Sequence, residues 1–362
     1  MKFKILFLVP NPIGTIPGQR FRFEQYLAYL SQKGIDYRIC NFVSLNFHKI
    51  LYKEGNFLKK CLYSLSGFFF RIFNIIQSLG YDLIFIYREV TPLGPPIFEK
   101  ILYYFRRRII YDFDDAIYLP SSSNVNRLIK FLKFPRKTRT IIKLSSLVLV
   151  GNRNLQSYSL QFNREVAILP TVIDTEAYKL IKKQKKEKIC VGWSGSLTTI
   201  VHLSLMKEVL KKLYAKFGII IKVIGSKDFK IEGINIQAQD WRLDSEIEDL
   251  SQIDIGLMPL PDDEWGRGKC GLKALQYMAL GIPPVCSPVG VNSEIIEDGV
   301  NGFLCNDEHE WIERISLLIE DSKLRLNMGL AARRVVEERY SVKNNAPKFL
   351  KILEGVYGKR NN

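Results

Sequence analysis

Residues 254–302, DIGLMPLPDDEWGRGKCGLKALQYMALGIPPVCSPVGVNSEIIEDGVNG, constrain the fold of this chain more than any other stretch. An apolar run at 253–260 reads as a buried strand, 262–271 as a polar, glycine-rich loop, and 272–280 as a short helix. Such a unit leaves unpaired backbone N–H groups and the positive helix end aimed at whatever lies in the loop, which makes an anion site. Lys273 stands in the first helical turn, and Gln276, three residues on, shares its face. One can meet a phosphate and the other a hydroxyl. After Gly281, residues 282–286 read as a second buried strand, and Pro288-Val289-Gly290 turns the chain into another helix start at 291–294. Two helix starts then face the same edge of one sheet.

The same pattern occurs twice more. Residues 4–10 are an apolar strand, 11–20 a loop carrying Gly14 and Gly18, and 21–33 a helix. Residues 189–193 are a strand, Ser194-Gly195-Ser196 a loop of small residues, and 203–217 a helix. Gly14 and Gly18 either let the backbone pass close to a ligand or make a turn. Two doubly wound β/α units result, each opening on a strand and a glycine loop. Ligands of such folds bind at the C-terminal ends of the strands, so a site between two facing units is the expectation. A length of 362 residues accommodates two cores, and 47% hydrophobic with 25% charged residues is globular composition.

The first ten residues hold a six-residue apolar run before Pro10 and read as a strand rather than a signal peptide. Polar residues interrupt the most apolar later stretch, 62–79, so it falls short of a span. The expected location is the cytoplasm, with a peripheral place at the inner face of the membrane left open. The six cysteines are scattered with no CxxC and read as reduced core residues.

Net charge is +16 and unevenly placed: residues 1–170 carry 25 Lys and Arg against 10 Asp and Glu, the remainder 28 against 27. This points to an acidic partner for the first half, either an anionic membrane surface or nucleic acid, with solvated lysines as the alternative. Residues 57–79 set Lys59, Lys60 and Arg71 among Tyr63, Phe68, Phe69, Phe70 and Phe73. A helix of this kind can lie in a membrane interface, or it can be a core helix with a charged outer stripe. Further basic residues follow at Arg106-Arg107-Arg108 and in 130–143, and the charge-rich connector 179–188 reads as solvated.

A strand at 109–113 ends in Asp112, Asp114 and Asp115. Carboxylates this close repel one another and need a cation, hydrogen bonds or a metal; capping of a following helix is the structural alternative. Trp241 precedes a helix from 244 and either stacks on a planar ligand or fills the core.

The run KALQYMALGIPPVCSPVG, followed by EIIEDGVNGFL, closely resembles the donor-binding segment of glycosyltransferase family 4, retaining enzymes with the GT-B fold. The resemblance implies an α/β protein of two Rossmann-like doubly wound domains facing across a cleft, with the acceptor in the first and the nucleotide sugar in the second. Gln276 stands where the family usually has Glu for the donor ribose, and Gly268 where an earlier Glu often stands. The family's histidine beside the aspartate pair is absent; the chain resembles a subset with Asp-x-Asp-Asp, where Asp112 or Asp114 would contact the sugar or acceptor hydroxyl. The family's basic residue after the first strand of the second unit is also absent, leaving Ser196 to help there. The run ILPTVIDTEAY resembles the inter-domain hinge, and the last helix the crossover back to the first domain.

The expected domains are 1–172 for the acceptor, 187–340 for the nucleotide sugar, and a returning helix at 341–362. The expected activity is retaining transfer of a sugar from a nucleoside-diphosphate sugar to the hydroxyl of a lipid-linked or saccharide acceptor, in cell-surface polysaccharide or glycolipid synthesis. Catalysis is assigned to Asp112, Asp114 and Asp115. Donor binding is assigned to Gly14, Ser194, Gly195, Ser196, Trp241, Arg267, Lys269, Lys273 and Gln276. The reading asks for no cofactor, no metal and no nucleic acid. The rivals are a catalytically inactive protein of the same fold that holds membrane or nucleic acid, a sugar-nucleotide epimerase, and a metal-dependent GT-A transferase using the Asp-x-Asp motif.

Overall fold

A computed structural model describes residues 3–51, 53, 55–119, 134, 136–181, 187–196 and 198–358. Residues 130–133 and 135 of the basic run and 182–186 of the connector lie outside the described residues. The chain divides into two units: residues 1–170 with 346–362, and residues 171–345.

The first unit holds the strands β1 (Lys4–Val9), β2 (Asp36–Asn41), β3 (Leu83–Tyr87), β4 (Arg108–Phe113), β5 (Leu147–Val150) and β6 (Val166–Ile168) in the order β2-β1-β3-β4-β5-β6. The second holds β7 (Cys190–Ser194), β8 (Ile220–Ile224), β9 (Ile236–Gln239), β10 (Ile255–Met258), β11 (Pro284–Cys286) and β12 (Phe303–Leu304) in the order β12-β11-β10-β7-β8-β9. All pairings are parallel. Each sheet is therefore doubly wound, and its order reverses beside β1 in one unit and beside β7 in the other, which is where such sheets open a crevice at their strand ends.

Helices cover both faces of a parallel sheet, so its central strands are continuously apolar. KILFLV of β1 and LIFIY of β3 are buried from Ile5 to Val9 and from Leu83 to Tyr87. The edge strands β2 and β9 are half exposed and β12 has two residues, so none offers a run from which a strand can be read.

The helix expected at 21–33 is broken into helices Pro17–Arg22 and Leu27–Gln32 around a 3-10 turn. Phe21, Arg22 and Phe23 are all fully buried. The first helix ends at Phe23, whose φ of −129° leaves the helical range. The segment 346–358 of the last helix belongs to the first unit: Phe349 stacks on Tyr26 at 4.7 Å and Tyr357 on Phe3 at 5.0 Å.

The helix Phe57–Gln77 reverses the core-helix expectation of a charged outer stripe. Its Arg71 is the buried residue, with guanidinium bonds to the carbonyls of Val9, Cys40 and Val90. Its leucines and Phe57, Phe69, Phe70 and Phe73 face solvent, while Phe68 packs on Phe42.

Candidate functional site

In the second unit the strand ends at the switch point carry the residues that the sequence singles out. β7 ends in Ser194, and Gly195 passes so close to β8's exit that a Cβ on Gly225 (φ +118°) would sit 1.8 Å from the Gly195 carbonyl oxygen. Both positions need glycine. After β10 comes the short helix Glu264–Arg267, then Gly271 at φ +72°, then the helix Leu272–Ala279. Tyr277 of that helix accepts a bond from the Ser194 amide at 2.9 Å, which fixes the helix against the end of β7.

One turn upstream of Tyr277, the Lys273 ammonium lies 5.0 Å from the centre of the Trp193 ring. The same buried ring lies where Gly195 lacks a Cβ, and its indole N–H finds no acceptor among the described residues. Lys269 lies 4.9 Å from the Trp265 ring. His202, on the helix Ile200–Ser204, completes the group. Burial, and behind it the charges of Lys273 and Lys269, push its imidazole down to about 4, so it is neutral near pH 7. A neutral histidine beside two lysines, at strand ends and a helix start, suits an incoming polyanion. Local sequence held no sign of His202, which stands in no motif.

Gln276 and Trp241, expected independently, are joined. The buried Gln276 amide donates to the Tyr178 hydroxyl at 2.9 Å, Tyr178 donates to one oxygen of buried Glu246 at 2.7 Å, and the Trp241 indole donates to the other at 2.9 Å. The hydroxyl that Gln276 meets is thus a tyrosine's. Sequence reasoning passed over Tyr178, whose partners lie 68 and 98 residues away, and over Glu246, although it stands five residues from Trp241. Arg333 holds the Tyr178 segment in place through the carbonyls of Thr175, Tyr178 and Ala279.

Three expected donor contacts are otherwise engaged. Arg267 is exposed and forks onto Asp262 at 2.6 and 3.0 Å. The Ser196 hydroxyl lies in a local turn with Thr198 and Thr199 at 2.9 and 3.2 Å. Gly14 (φ +80°) belongs to the first unit and gives its amide to Glu24 at 2.9 Å.

The three aspartates of the first unit divide into two kinds: Asp112 lies within β4, while Asp114 and Asp115 follow its end. Asp112 is 1% exposed and both its oxygens are taken by the buried Arg22. It was expected to meet a sugar or acceptor hydroxyl; in the fold it joins β4 to the helix Pro17–Arg22. Burial pushes its carboxyl up, and Arg22 pulls it back. Asp114 and Asp115 reach the strand ends at the switch side of the sheet. One Asp114 oxygen accepts from the Tyr87 hydroxyl at 2.9 Å and from Arg88 at 2.9 and 2.8 Å, and Arg88 also reaches Asp115 at 2.8 Å. Burial alone would raise the Asp114 carboxyl, but Arg88, Arg22 and these hydrogen bonds hold it below the usual range.

Arg88 itself sits at φ +58°, an uncommon conformation for a side chain of its size and one that clusters at functional sites. Gly18 makes room for the group: a Cβ there would lie 2.6 Å from the Tyr87 hydroxyl and 2.8 Å from Asp114. Asp112 is thus tied to Arg22, and Asp114 and Asp115 to Arg88.

Two parallel doubly wound units, one with lysines gathered at its switch point, define an α/β protein of two Rossmann-like halves. Residues 189–321 match the family described as glycosyl transferases group 1. The N-acetyl-alpha-D-glucosaminyl L-malate synthase of Bacillus anthracis is 21% identical over 95% of this chain and 92% of its own. Among solved structures, sucrose-phosphate synthase from Thermosynechococcus elongatus covers 98% of this chain and 99% of its own at 12% identity and a TM-score of 0.73. Anabaena Alr3699/HepE, in complex with UDP and glucose, covers 98% and 100% at 16% identity and a TM-score of 0.68. The likeness to these solved structures shows the GT-B fold, and the group 1 glycosyl transferase match lies within the second unit.

Proposed function

We propose that this protein transfers a sugar from a nucleoside-diphosphate sugar to an acceptor hydroxyl with retention at the anomeric carbon. The observation that carries the donor half of the reading is the cationic group at the β7 and β10 ends. There Lys273 and Lys269 meet the N-terminal start of the helix Leu272–Ala279. These charges and backbone N–H groups would hold the diphosphate and stabilise it as it leaves, which lowers the barrier where negative charge develops. Ser194, Gly195 and Ser196 would line the same crevice. Arg267 stands at its rim, tethered to Asp262. Trp241, Glu246, Tyr178 and Gln276 would take the nucleoside. The UDP and glucose in the Anabaena neighbour support a donor of this chemistry.

In the first unit, Asp114 would orient a sugar or acceptor hydroxyl as a charged hydrogen-bond acceptor. Arg88 and Tyr87 hold its carboxyl too low for a strong general base. Asp115 supports it through Arg88, and Asp112 through the Arg22 pair. The acceptor in this reading is lipid-linked or a saccharide, the process is cell-surface polysaccharide or glycolipid synthesis, and the protein sits at the inner face of the membrane as a peripheral enzyme. Support for the membrane part is the basic excess of residues 1–170.

The test is thermal unfolding with a panel of nucleoside diphosphates and their sugars, in EDTA, with Lys273→Ala alongside. A ligand of the folded state raises Tm as its concentration passes its Kd. One nucleotide should do so, with affinity about tenfold to a hundredfold weaker in the variant, the worth of one hydrogen bond to a charged group. No shift with any nucleotide would overturn the donor reading.

A further inference from the structure

The helix Phe57–Gln77 is built inside out. Leu58, Leu62, Leu65, Phe69, Ile72, Ile76 and Leu79 recur at alternating steps of four and three, and every one is more than half exposed. That spacing normally marks the face a helix buries. The opposite face, with Gly67, Arg71, Asn74 and Ile75, is the one packed on the sheet. Gly67 is tight against Phe42, and Arg71 is anchored by three carbonyls, so the helix cannot roll its apolar stripe inward without unpairing a buried guanidinium. The exposure is fixed by the fold.

We propose that this stripe is a docking surface for an anionic lipid bilayer, with the helix lying in the plane of the interface. The proposal deepens the reading of a peripheral membrane enzyme, and rests on it, by naming the surface that inserts. Charge complementarity argues for that occupant. From residue 37 to residue 81 the chain has one acidic residue against six Lys and Arg. The helix has no acidic residue, and exposed Lys49, Lys53 and Lys59 lie at or before its N-terminal end, where headgroup phosphates would meet them.

The shape of the surface agrees. Phe73 and Phe70 widen the apolar arc beyond roughly 120°, broader than the narrow seam two helices bury between them. No charges of opposite sign flank the stripe to specify a second helix. The adjoining helix Ile97–Tyr104, which packs on it through Phe98 against Phe68, adds exposed Ile97 and Tyr104, with exposed Lys100 and Arg106 beside them. Among the described residues no helix is long and apolar enough to cross a membrane, so the stripe would lie on the bilayer rather than span it.

Co-sedimentation with vesicles tests this, using phosphatidylcholine alone and phosphatidylcholine mixed with anionic phosphatidylglycerol, whose surface potential attracts basic residues. The protein should bind the anionic vesicles at least tenfold better. The exposed double variant Leu65→Glu/Phe69→Glu should lose that binding, and Lys53→Ser/Lys59→Ser should weaken it and flatten its salt dependence. Nucleotide-induced shifts in Tm, read on the same variants, should stay as in the parent, which separates failure of docking from failure of the donor reading. Vesicle binding unchanged in Leu65→Glu/Phe69→Glu would overturn the proposal. So would a parent that ignores both vesicles but forms a dimer which the variant dissociates, because the stripe would then belong to a second copy.

Discussion

The Ser194 amide donates to the Tyr277 hydroxyl across 2.9 Å, between residues 83 apart in the chain. That bond links the end of β7 to the helix carrying Lys273, and so sets where the lysine stands relative to the crevice. The Tyr277 ring can reach there only because Gly256 on β10 has no side chain; a Cβ would lie 2.3 Å from the ring. Burial pushes the phenol up, so it stays neutral and accepts the amide without adding charge to the site.

Tyr277→Phe removes the acceptor and leaves the buried Ser194 N–H unpaired, at a cost of about 1–3 kcal/mol. Calorimetry should show a Tm lower by about 2–4 °C for each kcal/mol. Diphosphate affinity should fall with it, because the Lys273 helix loses its tie. An unchanged affinity would mean that other contacts position the lysine.

Arg22 and Asp114 should separate stability from activity. Arg22→Met strands a buried Asp112 carboxylate and should cost about 3–5 kcal/mol, most of it recovered by adding Asp112→Leu. Denaturant titration reads this directly. Asp114→Asn should leave the fold largely intact while sugar transfer falls at least a hundredfold. The Asp114 carboxyl titrates below its ordinary value of 3.8 in the fold, so its contribution to stability is present above that value and is lost as pH falls through the folded value.

His202 predicts an acid limb. Its imidazole titrates at about 4 in the fold against 6.5 when unfolded, so between those values the unfolded chain binds the extra proton. Its contribution to stability is therefore whole above pH 6.5 and declines as pH falls toward 4. Tm measured across that window should fall less steeply in His202→Gln than in the parent. A bound diphosphate, by offsetting the Lys269 and Lys273 charges, should flatten the parent's slope in the same way.

Glu246→Gln tests whether the Trp241, Glu246, Tyr178 and Gln276 network reads the nucleoside. The substitution keeps the shape but removes a charge that two donors share, which is worth about 1–3 kcal/mol. Calorimetric titration should show a nucleoside diphosphate bound more weakly while inorganic pyrophosphate, which lacks the nucleoside, binds as before. Equal losses for both ligands would place the network outside the nucleoside site.

The sequence by itself determined the two doubly wound units and the elements that open each site. Buried parallel strands such as β1, β3, β7 and β10 are apolar on both faces, and glycine loops followed by helix starts are local features that a short window contains. Only the tertiary structure decided which residues those elements bring together. It separated Asp112 from Asp114, because the partner that claims each, Arg22 or Arg88, comes from a distant element. It placed His202 beside the lysines, joined Gln276 to Glu246 through Tyr178, and turned the apolar stripe of Phe57–Gln77 outward by anchoring Arg71 within. The spacing along that helix records an apolar face, but the direction it points depends on carbonyls at Val9, Cys40 and Val90, which lie 19 to 62 residues away in the chain.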